Sequence, residues 1–176
     1  MTKTVAVINS KGGVGKTTIT LGLASAGQAA GSTVLVIDIE PQAPAPWGLR
    51  PAEIEDGRTT ADVLADGRDG TLADAVHPSG WGPEVDVVPS DPKLAEREAD
   101  HVRVDHIERF RRAMTGVTDA YDLVLIDCAP SLGRVSSAAL AVADMILLVS
   151  EPSALSLRGI EGVERHLDDL GERLGT

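Results

Sequence analysis

The sequence predicts an α/β protein built on a doubly wound, mostly parallel sheet with helices on both faces. Three observations carry this. Four apolar runs are nearly continuous and β-branched, helical patterns separate them, and a glycine-rich turn joins the first run to the first helix. Strands buried on both faces read as continuous apolar runs rather than alternating ones. Strand–helix alternation then places helices on both sides of the sheet.

Val5–Ile8 is the first strand, and the helix expected over 15–30 follows it with Ile19, Leu23 and Ala26 on its inner face and Gly31 as its cap. Val34–Ile37 is the second strand. Helices are expected near 59–66, 92–115, 131–143 and 155–173, with Pro92 opening the third helix of the chain. Val85–Val88 is a shorter strand candidate, and Leu123–Ile126 and Met145–Val149 complete the set. Segments 43–58 and 67–84, rich in Pro, Gly and Asp, read as surface loops, and no internal repeat is visible.

At 176 residues the chain has single-domain length and enough substance for a core. Aromatics are only 2% of it, so Val, Leu, Ile and Ala must build that core. One cysteine, Cys128, excludes an internal disulfide framework and suits a reducing compartment. The N-terminal apolar run is too short for a signal peptide, and no stretch approaches the ~20 apolar residues of a membrane span. The expectation is a cytoplasmic protein. The net charge of −11 argues against a broad basic face. The densest basic cluster, Arg109, Arg111 and Arg112 with Arg103 upstream, is interleaved with Asp105 and Glu108 and reads as a solvated face of one long helix.

The stretch INSKGGVGKTT, residues 8–18, approaches the phosphate-loop pattern G-x-x-x-x-G-K-[ST], but Ser10 stands where its leading glycine belongs and a second lysine, Lys11, follows. Gly12, Gly13 and Gly15 allow the backbone to approach phosphate and turn successive N–H groups inward, and the helix start adds partial positive charge. In this pattern Lys16 can reach the β and γ phosphates, and the Thr17 hydroxyl can ligate Mg²⁺. A plain glycine-rich turn leaves Lys16–Thr17 at the helix start unexplained. A magnesium nucleotide also needs one or two carboxylates. Asp38 and Asp127 each follow a buried run, which puts them at strand carboxyl ends, the edge where ligands bind in open parallel sheets.

Lys11–Thr18 resembles the deviant phosphate loop of the ParA/MinD family of P-loop ATPases. Ile37–Gln42 (IDIEPQ) resembles that family's D-x-D-P-Q segment, Leu125–Ser131 (LIDCAPS) its D-x-x-P-S element, and Glu151-Pro152 with Leu157–Gly159 its E-P…L-x-G stretch. The D-P-Q-type segment points to the ParA partition branch. The resemblance implies a P-loop NTPase fold, ATP and Mg²⁺ as cofactors, and slow hydrolysis coupled to DNA partition through an ATP-sandwich homodimer. It implies a ParB-like stimulator, non-specific DNA contacts and nucleoid association, without membrane binding. The loop residues Lys11, Gly12, Gly13, Val14, Gly15, Lys16, Thr17 and Thr18 would hold nucleotide. Thr17, Asp38 and Asp127 would hold metal, and Lys11, Lys16, Asp38 and Glu40 would be catalytic. Lys11 would cross to the partner's nucleotide and act like an arginine finger, with Gly12 at the close approach of the two subunits. Glu40 occupies the position of a family aspartate associated with hydrolysis. The family's chains continue with another strand and helices, so 1–176 is expected to be a single ATPase domain lacking them. The alternatives are a nucleotide-binding regulator or scaffold with little hydrolysis, and a MinD-like membrane-associated positioning ATPase.

The other reactive residue types carry less. Cys128 has no base beside it in sequence and is expected to be buried and structural. His77, His101, His106 and His166 lack metal-ligand spacing. Trp47 and Trp81 fall in expected loops, where packing is their expected role.

Overall fold

The computed structural model describes residues 1–51, 57–98, 105–152 and 154–175. In chain order the strands are β1 (Lys3–Ile8), β2 (Val34–Asp38), β3 (His77–Pro78), β4 (Val85–Val88), β5 (Leu123–Asp127) and β6 (Met145–Leu148). The helices are α1 (Lys16–Ala29), α2 (Pro44–Leu49), α3 (Thr60–Asp66), α4 (Leu94–Glu98), α5 (His106–Met114), α6 (Arg134–Val142) and α7 (Ala154–Leu174). Among the described residues the sheet order is β3-β4-β2-β5-β1-β6, parallel throughout except for the β3–β4 pair. Pro78 sits in the short edge strand, where its missing N–H costs no ladder bond.

Three of the four continuous apolar runs are buried strands: every residue of Val34–Asp38 is buried, as is Val124–Asp127, and so are Ala6–Ile8. The fourth needs correction, since Met145–Leu148 forms the edge strand β6, with Met145 58% exposed and the rest half-buried. One side of the sheet packs Ala6, Ile8, Leu35, Ile37, Val124 and Ile126 against α3, α5, α6 and α7. The other packs Val34, Val36, Val85, Val87 and Leu125 against α1 and α2. The core is aliphatic, and Phe110 is the largest side chain fully inside it.

Five further expectations need correction. On α1 the buried stripe is Lys16, Thr20 and Ala24, whereas Ile19 and Ala26 are exposed; of the expected inner face only Leu23 packs on the core. Polar anchors at Thr17 and Thr20 set the rotation of this helix and override its apolar pattern. The expected helix over 92–115 is interrupted: α5 starts afresh at Asp105, whose carboxylate accepts the Glu108 N–H at 3.1 Å. Arg103 and His101 lie outside the described residues. The stretch read as a loop over 67–84 hides the turn Thr71–Ala75, with Leu72 and Ala75 fully buried, and β3. The stretch read as a loop over 43–58 hides α2, flanked by two non-glycine residues at positive φ, Ala43 (48°) and Arg50 (45°). Trp47 on α2 is 84% exposed and does not pack, whereas the Trp81 indole N–H donates to the Gly48 carbonyl at 3.0 Å.

The described arginines of the basic cluster are engaged within the chain. Arg109 donates to the Leu64 and Ala65 carbonyls at the end of α3, Arg111 pairs with Glu108 and Arg112 with Asp69. No helix among the described residues is long and apolar enough to cross a membrane.

Candidate active site

Strand register assembles the site. Asp38 and Asp127 are direct neighbours at the carboxyl ends of β2 and β5, and Val7 of β1 lies beside Asp127. The glycine loop therefore leaves the third of three adjacent strands, on the same edge as both carboxylates. Gly15 forms the N-terminal boundary of α1 at φ 94°, a conformation that penalises any Cβ. Among the described residues no side chain caps α1, and its first turn carries no acid, so its N-terminal N–H groups and partial positive charge suit an anion.

An open cleft of ≈ 380 Å³ runs along this edge, lined by Gly12, Gly13, Gly15, Lys16, Thr17, Thr18, Glu40, Gln42, Pro44, Cys128 and Pro130. A cleft of ≈ 410 Å³ where α7 ends near the starts of α5 and α6 contains neither the loop nor the strand-end carboxylates, so chemistry rather than volume assigns the site. Lys16 is buried, and its ammonium reaches back to the Lys11 carbonyl at 3.4 Å. The Thr17 hydroxyl donates to Asp127 Oδ2 at 2.6 Å. Asp38 accepts the Glu40 N–H at 2.8 Å on one oxygen and the Ala45 N–H at 3.0 Å on the other, so it also shapes the turn into α2. Val14 is half-buried in the loop.

The carboxyl groups are short of positive charge. Burial pushes Asp38 up to about 8, Asp127 adds to the rise, and the two N–H donors oppose it. Burial also raises Asp127 against the pull of Thr17, Thr20 and Lys16, and raises Glu40 against Lys16. A divalent cation would reverse each of these shifts. The donor set, a hydroxyl on a carboxylate with a second carboxylate beside it, fits magnesium carried in with a nucleotide. Such an ion keeps several waters and draws its other ligands from phosphates. Among the described residues no cluster of three or more His, Cys, Asp or Glu offers a metal cage. Cys128 is buried, and burial pushes its thiol up, so it is an inert core group.

Four contacts explain what pattern reading left open at the start of the loop. Asn9, fully buried, donates to the Val149 carbonyl at 2.7 Å and accepts the Lys11 N–H at 2.8 Å. Ser10 donates to the Gly159 carbonyl at 3.1 Å, a bond that the usual leading glycine cannot make. Gly159 permits the approach, since a Cβ there would lie 2.5 Å from Asn9 Oδ1. Lys11 forms an ion pair with Glu151 at 2.6 Å, both side chains being partly exposed. Asn9 was missed because an asparagine before a turn reads as punctuation. The Gly159 signal was present in the L-x-G stretch.

Fold and site together define a P-loop nucleoside triphosphatase-type protein. A family model described as an AAA domain (AAA_31) matches residues 2–175. The chain is 36% identical over 173 residues to an uncharacterised protein of Mycobacterium tuberculosis, covering 98% of itself and 54% of that protein. It is 32% identical to the sporulation initiation inhibitor protein Soj of Bacillus subtilis, covering 96% of itself and 68% of Soj. Among solved structures, cobyrinic acid a,c-diamide synthase from Mycobacterium smegmatis with bound ADP and magnesium superposes with a TM-score of 0.86 at 28% identity, covering 98% of this chain and 69% of that one. The chain belongs to the ParA/MinD family of P-loop ATPases. It spans about half the length of the curated relative matched at 36%.

Proposed function

We propose that the chain binds MgATP at the cleft and hydrolyses it slowly, as a partition-type ATPase that switches through an ATP-sandwich dimer. One observation carries this reading: the Thr17–Asp127 contact joins the helix start behind the glycine loop to a strand-end carboxylate, with Lys16 alongside. The loop backbone from Gly12 to Thr18 would surround the phosphates and Lys16 would offset charge on the β and γ groups. Thr17 and Asp127 would hold the magnesium, with Asp38 acting through water. Magnesium, when bound, neutralises charge shared between the last two phosphates. Glu40, in the cleft and in the field of Lys16, would orient the attacking water or hold the covering turn. ADP and an ATP analogue, each with magnesium, are bound in the structures of the M. smegmatis relative, which supports the cofactor assignment.

Lys11 is the switch element in this reading. Its pair with Glu151 is partly exposed and worth only about 0–1 kcal/mol, so a partner's triphosphate competes for it with ease. DNA contacts through a dimer or further chain are part of the same proposal; on this face Arg111 and Arg112 are already paired with Glu108 and Asp69. A cytoplasmic, nucleoid-associated location and a ParB-like stimulator belong to the same proposal. Phosphate release and sedimentation, each with ATP, a non-hydrolysable analogue and ADP, test it. The expected result is slow turnover and a dimer with the analogue but not with ADP. No turnover together with an unchanged mass in all three would overturn it.

A further inference from the structure

The Asp127 carboxylate is held by two hydroxyls of one helix. Thr17 takes Oδ2 at 2.6 Å, and the Thr20 hydroxyl lies 3.2 Å from Oδ1. Thr20 is fully buried, and its other neighbour is the Lys16 carbonyl at 3.1 Å. A hydroxyl has one proton to donate, and an ionised carboxylate competes for it better than a neutral helical carbonyl does. Asp127 is 1% exposed, so bulk water does not replace a lost donor. Without Thr20 the carboxylate keeps one fixed oxygen and turns about χ2, a soft torsion. Helix spacing makes this arrangement possible, since residues three apart on α1 share the face that meets β5.

We infer that Thr20 is a positioning residue: by holding Oδ1 it keeps Oδ2 directed at Thr17, and so sets the affinity for the divalent cation that accompanies the nucleotide. Thr20 does not line the cleft, so it reaches the cation through Asp127 rather than by direct contact. The inference rests on the nucleotide-site reading above. Loss of an outer partner of a ligating carboxylate weakens metal affinity by roughly 10–100-fold.

The test is a fluorescent ADP analogue titrated into the full chain, first in EDTA and then with increasing Mg²⁺. Thr20→Val keeps shape and removes the donor, whereas Thr20→Ser keeps the donor. The expected result is EDTA affinities alike in all three proteins, with the half-effect Mg²⁺ concentration raised roughly 10–100-fold in Thr20→Val alone. Should Thr20→Val not fold, Thr20→Cys, a weak donor, is expected to show the same rise. A normal Mg²⁺ response in the variant lacking the donor, or an equal loss in Thr20→Ser, would overturn the role of Thr20. A wild type that fails to bind the analogue at all would overturn the nucleotide site itself.

Discussion

Replacing Gly159 by alanine sets two effects against each other on one helix. An alanine inside α7 gains up to ~1 kcal/mol of helix propensity over glycine. Its Cβ, however, would lie 2.5 Å from Asn9 Oδ1 and 3.3 Å from Ser10 Oγ. The first distance is roughly 1 Å inside ordinary van der Waals contact. Asn9 cannot yield freely, because it is fully buried and bonded to Lys11 N–H and Val149 carbonyl. Displacing it forfeits two hydrogen bonds of about 1 kcal/mol each and strands buried polar atoms at about 1–3 kcal/mol more. The net expectation is destabilisation by about 2–4 kcal/mol, with weaker nucleotide binding because the start of the loop loses its anchor. Gly162→Ala is the control, as its Cβ would meet nothing nearer than Ser10 Oγ at 3.6 Å. That variant should be more stable by up to ~1 kcal/mol. Urea denaturation of both variants, with nucleotide titration, checks this. Equal stabilisation by the two alanines would refute the claim that α7 is seated on the loop through Gly159.

Lys11→Ala should bind MgATP within a few-fold of wild type yet remain monomeric with a non-hydrolysable analogue in sedimentation. A normal analogue-dependent dimer would make Lys11 a solvated loop lysine. Glu40→Asp should speed single-turnover hydrolysis by up to ~10²-fold at saturating ATP, since a misplacement on the order of 1 Å costs about that much. A slower variant would mean that the turn is built around glutamate. Asp127→Asn should abolish the Mg²⁺ dependence of binding while EDTA-measured affinity persists, as the amide keeps the shape and loses the charge. Unchanged Mg²⁺ dependence would remove Asp127 from the metal site.

The parts of this molecule that run on one strong physical signal were legible in the sequence. Continuous β-branched runs announced the buried strands. The carboxylates that end two of them, Asp38 and Asp127, proved to be register neighbours beside the glycine loop. Elements defined by competing signals were not legible. The α1 face was misjudged because Thr17 and Thr20 anchor the helix through hydrogen bonds to Asp127, which outweigh the apolar spacing of Ile19 and Ala26. The start of α5 was missed because Asp105 and Glu108 form an N-terminal capping pattern within a stretch that otherwise reads as continuous helix. Short elements such as α2 and β3 lie below the length at which periodicity speaks. The links from Ser10 and Lys11 to Gly159 and Glu151 join residues 140 and more positions apart, which only the folded chain brings together.

The measurement that bears most directly on the central claim is calorimetric titration of wild type and Lys16→Ala with ATP in excess Mg²⁺. Lys16 is the main cation of the loop and sits against it, so its loss leaves the triphosphate charge without its principal local partner. Saturable one-site binding by wild type and none by Lys16→Ala, with both proteins folded by circular dichroism, is the expected result. Equal affinity in the two proteins would contradict the assignment of this loop as the phosphate site.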